Sequence, residues 1–217
     1  METPYECYLR LPALLDLQHP RTAEDKPAQW ADEHFFIAVH QSAEVLAGQA
    51  LVDLERVRDP ARGPSAAPEG CRLAYVRRVT AVVELLEQHL AVLEHLSPAS
   101  FAAFRPLLEN ASGAQSSQFA TLFARIDESA SRSTLTPRAT PTSGPTPDDP
   151  GGNEAARAWW ELRAAVVRWR TRHLLLVERM IGDQPGTGGT SGLAYLRERI
   201  GLPPRDTDAV HPGPDAT

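Results

Sequence analysis

Two histidines in this sequence stand where an imidazole could bind a metal or move a proton. His40 lies in the stretch DEHFFIAVHQSAEVL, with Phe36 four residues before it and Glu44 four residues after it. In a helix this spacing places the imidazole between an aromatic ring and a carboxylate on one face. His40 is therefore a candidate acid–base residue, although a packed or solvated histidine explains the same stretch.

His173, the second candidate, lies in RAAVVRWRTRHLLLVERMIG. Trp169 and Val177 are one helical turn away on either side, so the imidazole lies on an apolar helical face. A neutral imidazole in this setting can be an axial ligand of haem iron. A packed tryptophan–histidine pair is the commoner explanation of such a pattern, and the stretch alone does not exclude it.

A segment rich in glycine and hydroxyl residues, GTGGTSG, follows at residues 186–192. It lacks the GxxxxGK[ST] spacing of a P-loop and does not follow a predicted strand, so a nucleotide phosphate site is not indicated. Glycines such as Gly186 allow a ligand to approach the backbone, and Thr187 offers a hydroxyl to its polar groups. A turn that caps the next helix is the alternative explanation.

The elements that must position these residues are all predicted to be helices. Apolar residues recur at spacings of three and four, and no alternating run is long enough for a convincing strand. Ser97 before Pro98 is a typical helix start, because serine caps free amides and proline has none to leave unpaired. The predicted helices span about residues 8–17, 31–58, 72–96, 98–110, 116–129, 154–181 and 191–200.

Composition predicts a single all-α domain over residues 1–202. The segment 129–153 contains five prolines among Ser, Thr, Gly and Asp, and such a composition does not bury enough apolar surface to offset its ordering entropy. We therefore expect a disordered linker there and a disordered tail over residues 203–217.

Charge and cysteine usage exclude several classes of protein. The 217 residues carry a formal net charge of −6, which argues against a nucleic-acid or anionic-membrane partner because both require clustered cations. Neither a membrane span nor a secretory signal is evident, so the expected location is the cytoplasm. Cys7 and Cys71 lack metal-site spacing and are expected to be reduced thiols.

Four stretches, in this order, resemble motifs of the tryptophan 2,3-dioxygenase family. They are YECYLRLPALLDLQHP, DEHFFIAVHQSAEV, SPASFAAFRPLLENASGAQSSQF and WRTRHLLLVERMIGDQPGTGGTSGLAYLR, and the last is the most specific. The resemblance covers residues 5–58, 72–125 and 154–200 and implies an all-α fold that binds haem b.

The resemblance also implies roles for individual residues. His173 matches the proximal ligand of the haem iron, with Trp169 and Gly186 beside the cofactor. His40 matches the distal histidine that contacts the indole N–H, and Phe36 is expected to stack beside the substrate ring. The hydroxyl of Thr187 is expected to contact the polar end of the substrate.

A haem-dependent oxygenase of this kind would activate dioxygen on a His-ligated ferrous haem and oxygenate a small, indole-type, tryptophan-derived substrate. The resemblance implies dioxygenation of the indole C2–C3 bond. Tyr5 and Tyr8 match amino-terminal tyrosines that reach the site of a neighbouring subunit, which implies a homo-oligomer, either a dimer or a tetramer.

The sequence departs from the family pattern at the substrate-binding motif. Ala120 stands where the family has an arginine that would bind the substrate carboxylate, and Ala114 stands where it has phenylalanine. The substrate is therefore expected either to lack a free α-carboxylate or to have it held elsewhere, with Arg77 and Arg125 as candidate replacements. A haem-dependent mono-oxygenase, a non-catalytic haem sensor and a cofactor-free helical interaction domain remain alternatives.

Overall fold

A computed structural model describes residues 2–58, 69–134, 150–186 and 192–200 of the chain. Every regular element in these ranges is helical, which confirms the predicted all-α class. The helices are α1 (Pro4–Leu9), α2 (Leu11–Leu14), α3 (Pro27–Arg58), α4 (Glu69–Leu93), α5 (Pro98–Phe104), α6 (Ser117–Thr134), α7 (Pro150–Ile181) and α8 (Leu193–Arg199), with short 3-10 turns at Arg105–Leu108 and Gly113–Gln115.

Four long helices form a bundle in which α3 packs on α4, α4 on α7, α7 on α6 and α6 on α3. Ion pairs show that α4 and α7 run parallel, because Arg77 pairs with Glu154 while Glu84, further along α4, pairs with Arg168. The bundle core consists of small and branched apolar residues from all four helices, including Ala47, Leu54, Val79, Leu122, Ile126, Leu162 and Ala165.

The predicted first helix, 8–17, is wrong in its bounds. The chain forms α1 from Pro4 because Thr3 caps it: the Thr3 hydroxyl accepts from the Glu6 amide, while Glu6 accepts from the Thr3 amide. At Arg10 the backbone turns left-handed, with φ of 55°, and α2 begins there with Pro12 in its first turn. Two short helices therefore replace one.

The predicted helix 98–110 is also too long, although its start is confirmed. The Ser97 hydroxyl accepts from the Ser100 amide, 3.0 Å away, and Pro98 opens the helix. α5 then ends at Phe104 and tightens into a 3-10 turn, because Pro106 has no amide to continue an α-helix. This turn places Arg105 beside the segment that follows α7.

The predicted linker 129–153 is helical at both ends. α6 continues to Thr134 and α7 begins at Pro150, whereas residues 135–149 and the predicted tail lie outside the described residues.

Cys7 and Cys71 are both free, as predicted.

α3 alone is long and apolar enough to cross a membrane by length and composition over Pro27–Val57, among the described helices. This is weak evidence, since a core helix of a globular domain passes the same test. α3 packs on α4, α5 and α6 here.

Candidate functional site

One end of the bundle brings the two candidate histidines together. The first half of α3, the ends of α4 and α7 and the start of α6 meet there, around a second apolar cluster. Val39, Leu90, Leu93 and Leu176 form this cluster, and Phe35, Phe36, Trp169 and Met180 pack against it. We call these eight residues the site cluster.

His40 is held by its own helix. Its Nδ1 lies 2.8 Å from the carbonyl oxygen of Phe36, so Nδ1–H is the donor and Nε2 keeps a lone pair. The protein atoms around this ring disfavour its charged form and lower its pKa, although the Phe36 carbonyl and the charge of Glu44 act in the opposite direction. His40 is therefore a neutral imidazole whose Nε2 can accept a hydrogen bond.

Phe36 packs against His40 and begins an aromatic wall. The two ring centroids are 4.0 Å apart, and Phe101 and Phe104 of α5 lie 5.7 Å and 5.5 Å from the Phe36 ring. Phe104 is fully buried and packs against both Phe36 and Phe101. The spacing of Phe36 and His40 thus gives the predicted pairing, and α5 adds rings that sequence spacing did not reveal.

His173 lies on α7 with its ring stacked on Trp169 at a centroid distance of 5.0 Å. Within the described ranges the imidazole makes no hydrogen bond, and no buried polar side-chain atom there lacks a partner. Burial and, to a smaller extent, the charge of His40 together lower the pKa of His173 to about 4. The two imidazoles are therefore close enough to interact electrostatically.

The free energy of unfolding of the cofactor-free protein is expected to fall as the pH drops from about 6.5 towards about 4. An unfolded histidine has a pKa near 6.5, whereas His173 in the fold has a pKa of about 4. In this window the unfolded state holds more protons, and acid therefore favours unfolding. Urea unfolding at stepped pH measures the effect, and His173→Phe should show a shallower pH dependence; an unchanged one would contradict the burial of a neutral imidazole.

These residues fit a haem group. A haem iron requires one axial side chain from the protein, and His173 offers a neutral imidazole that makes no competing hydrogen bond within the described ranges. Trp169, stacked on it, also contacts Phe119 and Phe123 of α6 at 5.6 Å and 4.9 Å. The ring orientation is thus supported by aromatic packing.

The segment after α7 is held at both ends. Gly182 ends the helix with φ of 56°, and Arg105 donates hydrogen bonds to Gln184 Oε1 at 2.5 Å and to the Pro185 carbonyl at 2.7 Å. Gly192, with φ of 59°, approaches Gln184 so closely that a Cβ there would lie 3.1 Å from its carbonyl oxygen. Gly186 is partly buried, and Thr187 lies outside the described residues.

Gln118 joins the start of α6 to the helix that carries His40. Its Nε2 donates to Glu44 Oε2 at 3.0 Å, and its Oε1 would lie 2.9 Å from a Cβ at Gly48. Glycine at position 48 therefore permits this close approach. Ala114 and Ala120 are both exposed near this junction.

Neither arginine suggested as a carboxylate-binding replacement lies at the site. Arg125 pairs with Glu55 at 2.9 Å, and Glu55 is fifteen residues beyond His40 on α3. Arg77 pairs with Glu154, nineteen residues before His173 on α7. At 1.5 Å per residue these pairs lie about 22 Å and about 28 Å along their helices from the histidines. That suggestion is wrong.

The amino-terminal tyrosines point away from their own bundle. Tyr5 is 67% exposed and Tyr8 86% exposed. The segment that follows is tied to α3 by Gln41, whose Nε2 donates to the Leu17 carbonyl at 2.9 Å and whose Oε1 accepts from Gln18 at 2.6 Å. The tyrosines are thus presented to the outside from an anchored base.

Arg105, Gln118 and Phe101 were not singled out from the sequence. All three lie within the quoted third motif, SPASFAAFRPLLENASGAQSSQF, so the motif was the available signal. Their individual contacts join segments more than sixty residues apart and could not be read from spacing.

Comparison with known proteins places these residues in a family. The family model described as tryptophan 2,3-dioxygenase matches residues 1–136 and 154–203. A curated tryptophan 2,3-dioxygenase of Nocardioides sp. (strain ATCC BAA-499 / JS614) is 33% identical over 90% of this chain and 88% of that protein. Those of Anaeromyxobacter sp. (strain K) and Burkholderia ambifaria (strain MC40-6) are 31% and 30% identical, over 92% and 90% of this chain and 91% and 79% of theirs.

Proposed function

Because the chain belongs to the tryptophan 2,3-dioxygenase family and is a haem-dependent dioxygenase, we propose specific roles for its two site histidines. His173 would hold the iron of haem b, and His40 would orient an indole-type substrate. The observation that carries this proposal is the approach of two neutral imidazoles from α3 and α7 at one end of the bundle.

The role of His173 rests on its chemistry in the fold. A ligating imidazole must be neutral, and the lowered pKa keeps this ring neutral at physiological pH. Trp169 fixes the plane of the ring and, with Gly186, borders the space that the cofactor takes in this proposal. When bound, the haem supplies the iron chemistry that activates dioxygen.

The role of His40 rests on its tautomer. Since Nδ1–H donates to the Phe36 carbonyl, Nε2 is left to accept a hydrogen bond from an indole N–H or to take its proton. Phe36 and Phe101 offer aromatic faces against which an indole ring packs in an offset arrangement. The proposed reaction is insertion of both oxygen atoms across the indole C2–C3 bond.

The substrate is proposed to be a tryptophan-derived aromatic whose carboxylate is absent or held by a group other than residue 120. Ala120 offers no charge, and Arg77 and Arg125 are paired far along their helices. Thr187 is the proposed contact for the polar end of the substrate, by resemblance alone.

Tyr5 and Tyr8 are proposed to complete the site of a neighbouring copy in a homo-oligomer. Their high exposure supports this arrangement, because aromatic side chains are strongly stabilised when they are covered.

Dioxygen consumption with identification of products by mass tests the proposed reaction. Haem-loaded protein is offered indole, methylated indoles, tryptamine, tryptophan and simple phenols. We expect turnover with an indole and a product heavier by two oxygen atoms, both labelled when ¹⁸O₂ is used. A product with one labelled oxygen would instead establish mono-oxygenation, and haem-loaded protein without turnover on any indole would contradict the proposal.

A further inference from the structure

A cavity of about 350 Å³ lies between α5 and the end of α7. Its lining includes Phe101, Arg105, Glu109, Met180, Ile181 and Gln184. This volume is within the range of small-molecule sites, and the combination of apolar walls with a guanidinium is typical of a site that fixes one polar end of an aromatic ligand.

The cavity lies next to the aromatic rings that pack beside His40. Phe101, in its wall, lies 5.7 Å from Phe36, whose ring in turn contacts His40. Met180 follows His173 by seven residues, which returns it to the same face of α7 about 10 Å further along the helix. Met180 therefore connects the cavity wall to the face of α7 that carries His173.

Arg105 gives the cavity its charge. The two hydrogen bonds of its guanidinium go to uncharged acceptors, the Gln184 amide oxygen and the Pro185 carbonyl, so neither bond neutralises it. Glu109, the acidic residue in the wall, is paired with Arg21 at 2.9 Å. A guanidinium has five N–H donors in a planar fork, which leaves donors for a carboxylate.

We propose that this cavity is the carboxylate-binding part of the site, with Arg105 as its cation. The inference rests on the proposed function and deepens it, because it supplies the anchor that Ala120 does not. The carboxylate belongs either to a haem propionate or to an amino-acid substrate, and both present it at the edge of a flat aromatic system.

Matched pairs of ligands with and without the carboxylate distinguish the two sources. Cofactor-free protein is titrated with hemin and with hemin dimethyl ester, in which both propionates are esterified. Haem-loaded protein is then titrated with tryptophan and with tryptamine, and binding is followed by the shift of the haem absorbance. A charge-assisted hydrogen bond predicts about tenfold to hundredfold tighter binding of the carboxylate-bearing member of one pair.

Arg105→Gln is expected to abolish that preference, and Arg105→Lys to restore part of it. Loss of the hemin preference assigns the propionate, and loss of the tryptophan preference assigns the substrate carboxylate. Gln184→Ala removes a partner of Arg105 but keeps the charge, so it should retain the preference; if it matched Arg105→Gln, Arg105 would serve only to hold the loop.

Arg77→Gln provides the control, because Arg77 pairs with Glu154 far from the cavity, and it should leave both preferences unchanged. The cavity proposal is overturned if wild-type protein binds hemin stoichiometrically but Arg105→Gln discriminates within both pairs as the wild type does. Failure of wild-type protein to bind hemin at all would overturn the proposed function, and this inference with it.

Discussion

His173→Ala is expected to abolish stoichiometric haem binding. Alanine removes the imidazole that, in this proposal, would hold the iron, and it offers no ligand atom in its place. Titration of the cofactor-free variant with hemin, followed at the Soret band, measures the loss. Unchanged haem content with an unchanged spectrum would refute the ligand assignment.

Two controls separate ligation from folding. His89 lies on α4, where it is hydrogen-bonded to the Leu85 carbonyl and to Ser42 of α3. The His89→Ala variant should therefore bind haem normally. His173→Gly with added imidazole should recover haem binding, because free imidazole can occupy the vacated position and bind the iron. A merely structural role of His173 would not give chemical rescue.

His40→Ala is expected to retain haem and to lose turnover. If Nε2 only accepts the substrate N–H, the loss is about tenfold, as for one hydrogen bond; if it also takes the proton, the loss is about 10²–10⁴-fold. His40→Gln distinguishes these cases, because an amide oxygen can accept the hydrogen bond but not the proton. Steady-state dioxygen consumption measures both variants.

The N–H contact itself has a direct probe. Wild-type protein should prefer indole over 1-methylindole, which has no N–H, whereas His40→Ala should treat the two alike. If the variant kept the wild-type preference, His40 would not be the residue that recognises the indole nitrogen.

The two aromatic–histidine pairs could be predicted from the sequence because each depends on contacts within one helix. Phe36 and His40 are one turn apart, as are Trp169 and His173, so helical periodicity alone predicts both stacked pairs. The start of α1 could also be predicted from a capping box, which is formed by Thr3 and Glu6 with Pro4 in the first turn. The prediction of one helix over residues 8–17 missed it.

The remainder of the site depends on tertiary packing. Arg105 meets Gln184 across 79 residues of sequence, and Gln118 meets Glu44 across 74. Neither contact has a periodic signature, and each requires the bundle to place α5 and α6 against α7 and α3. For the same reason, the ion pairs of Arg77 with Glu154 and of Arg125 with Glu55 could not be predicted from the sequence.

The bundle core uses all four long helices, whereas the site cluster uses α3, α4 and α7, and the two sets share only Trp169 among the described residues. Redesign of substrate range can therefore concentrate on the site cluster and on α5, while the residues around Leu54 and Leu162 keep the scaffold folded. Substrate range and folding stability are thus separate targets for engineering within this chain.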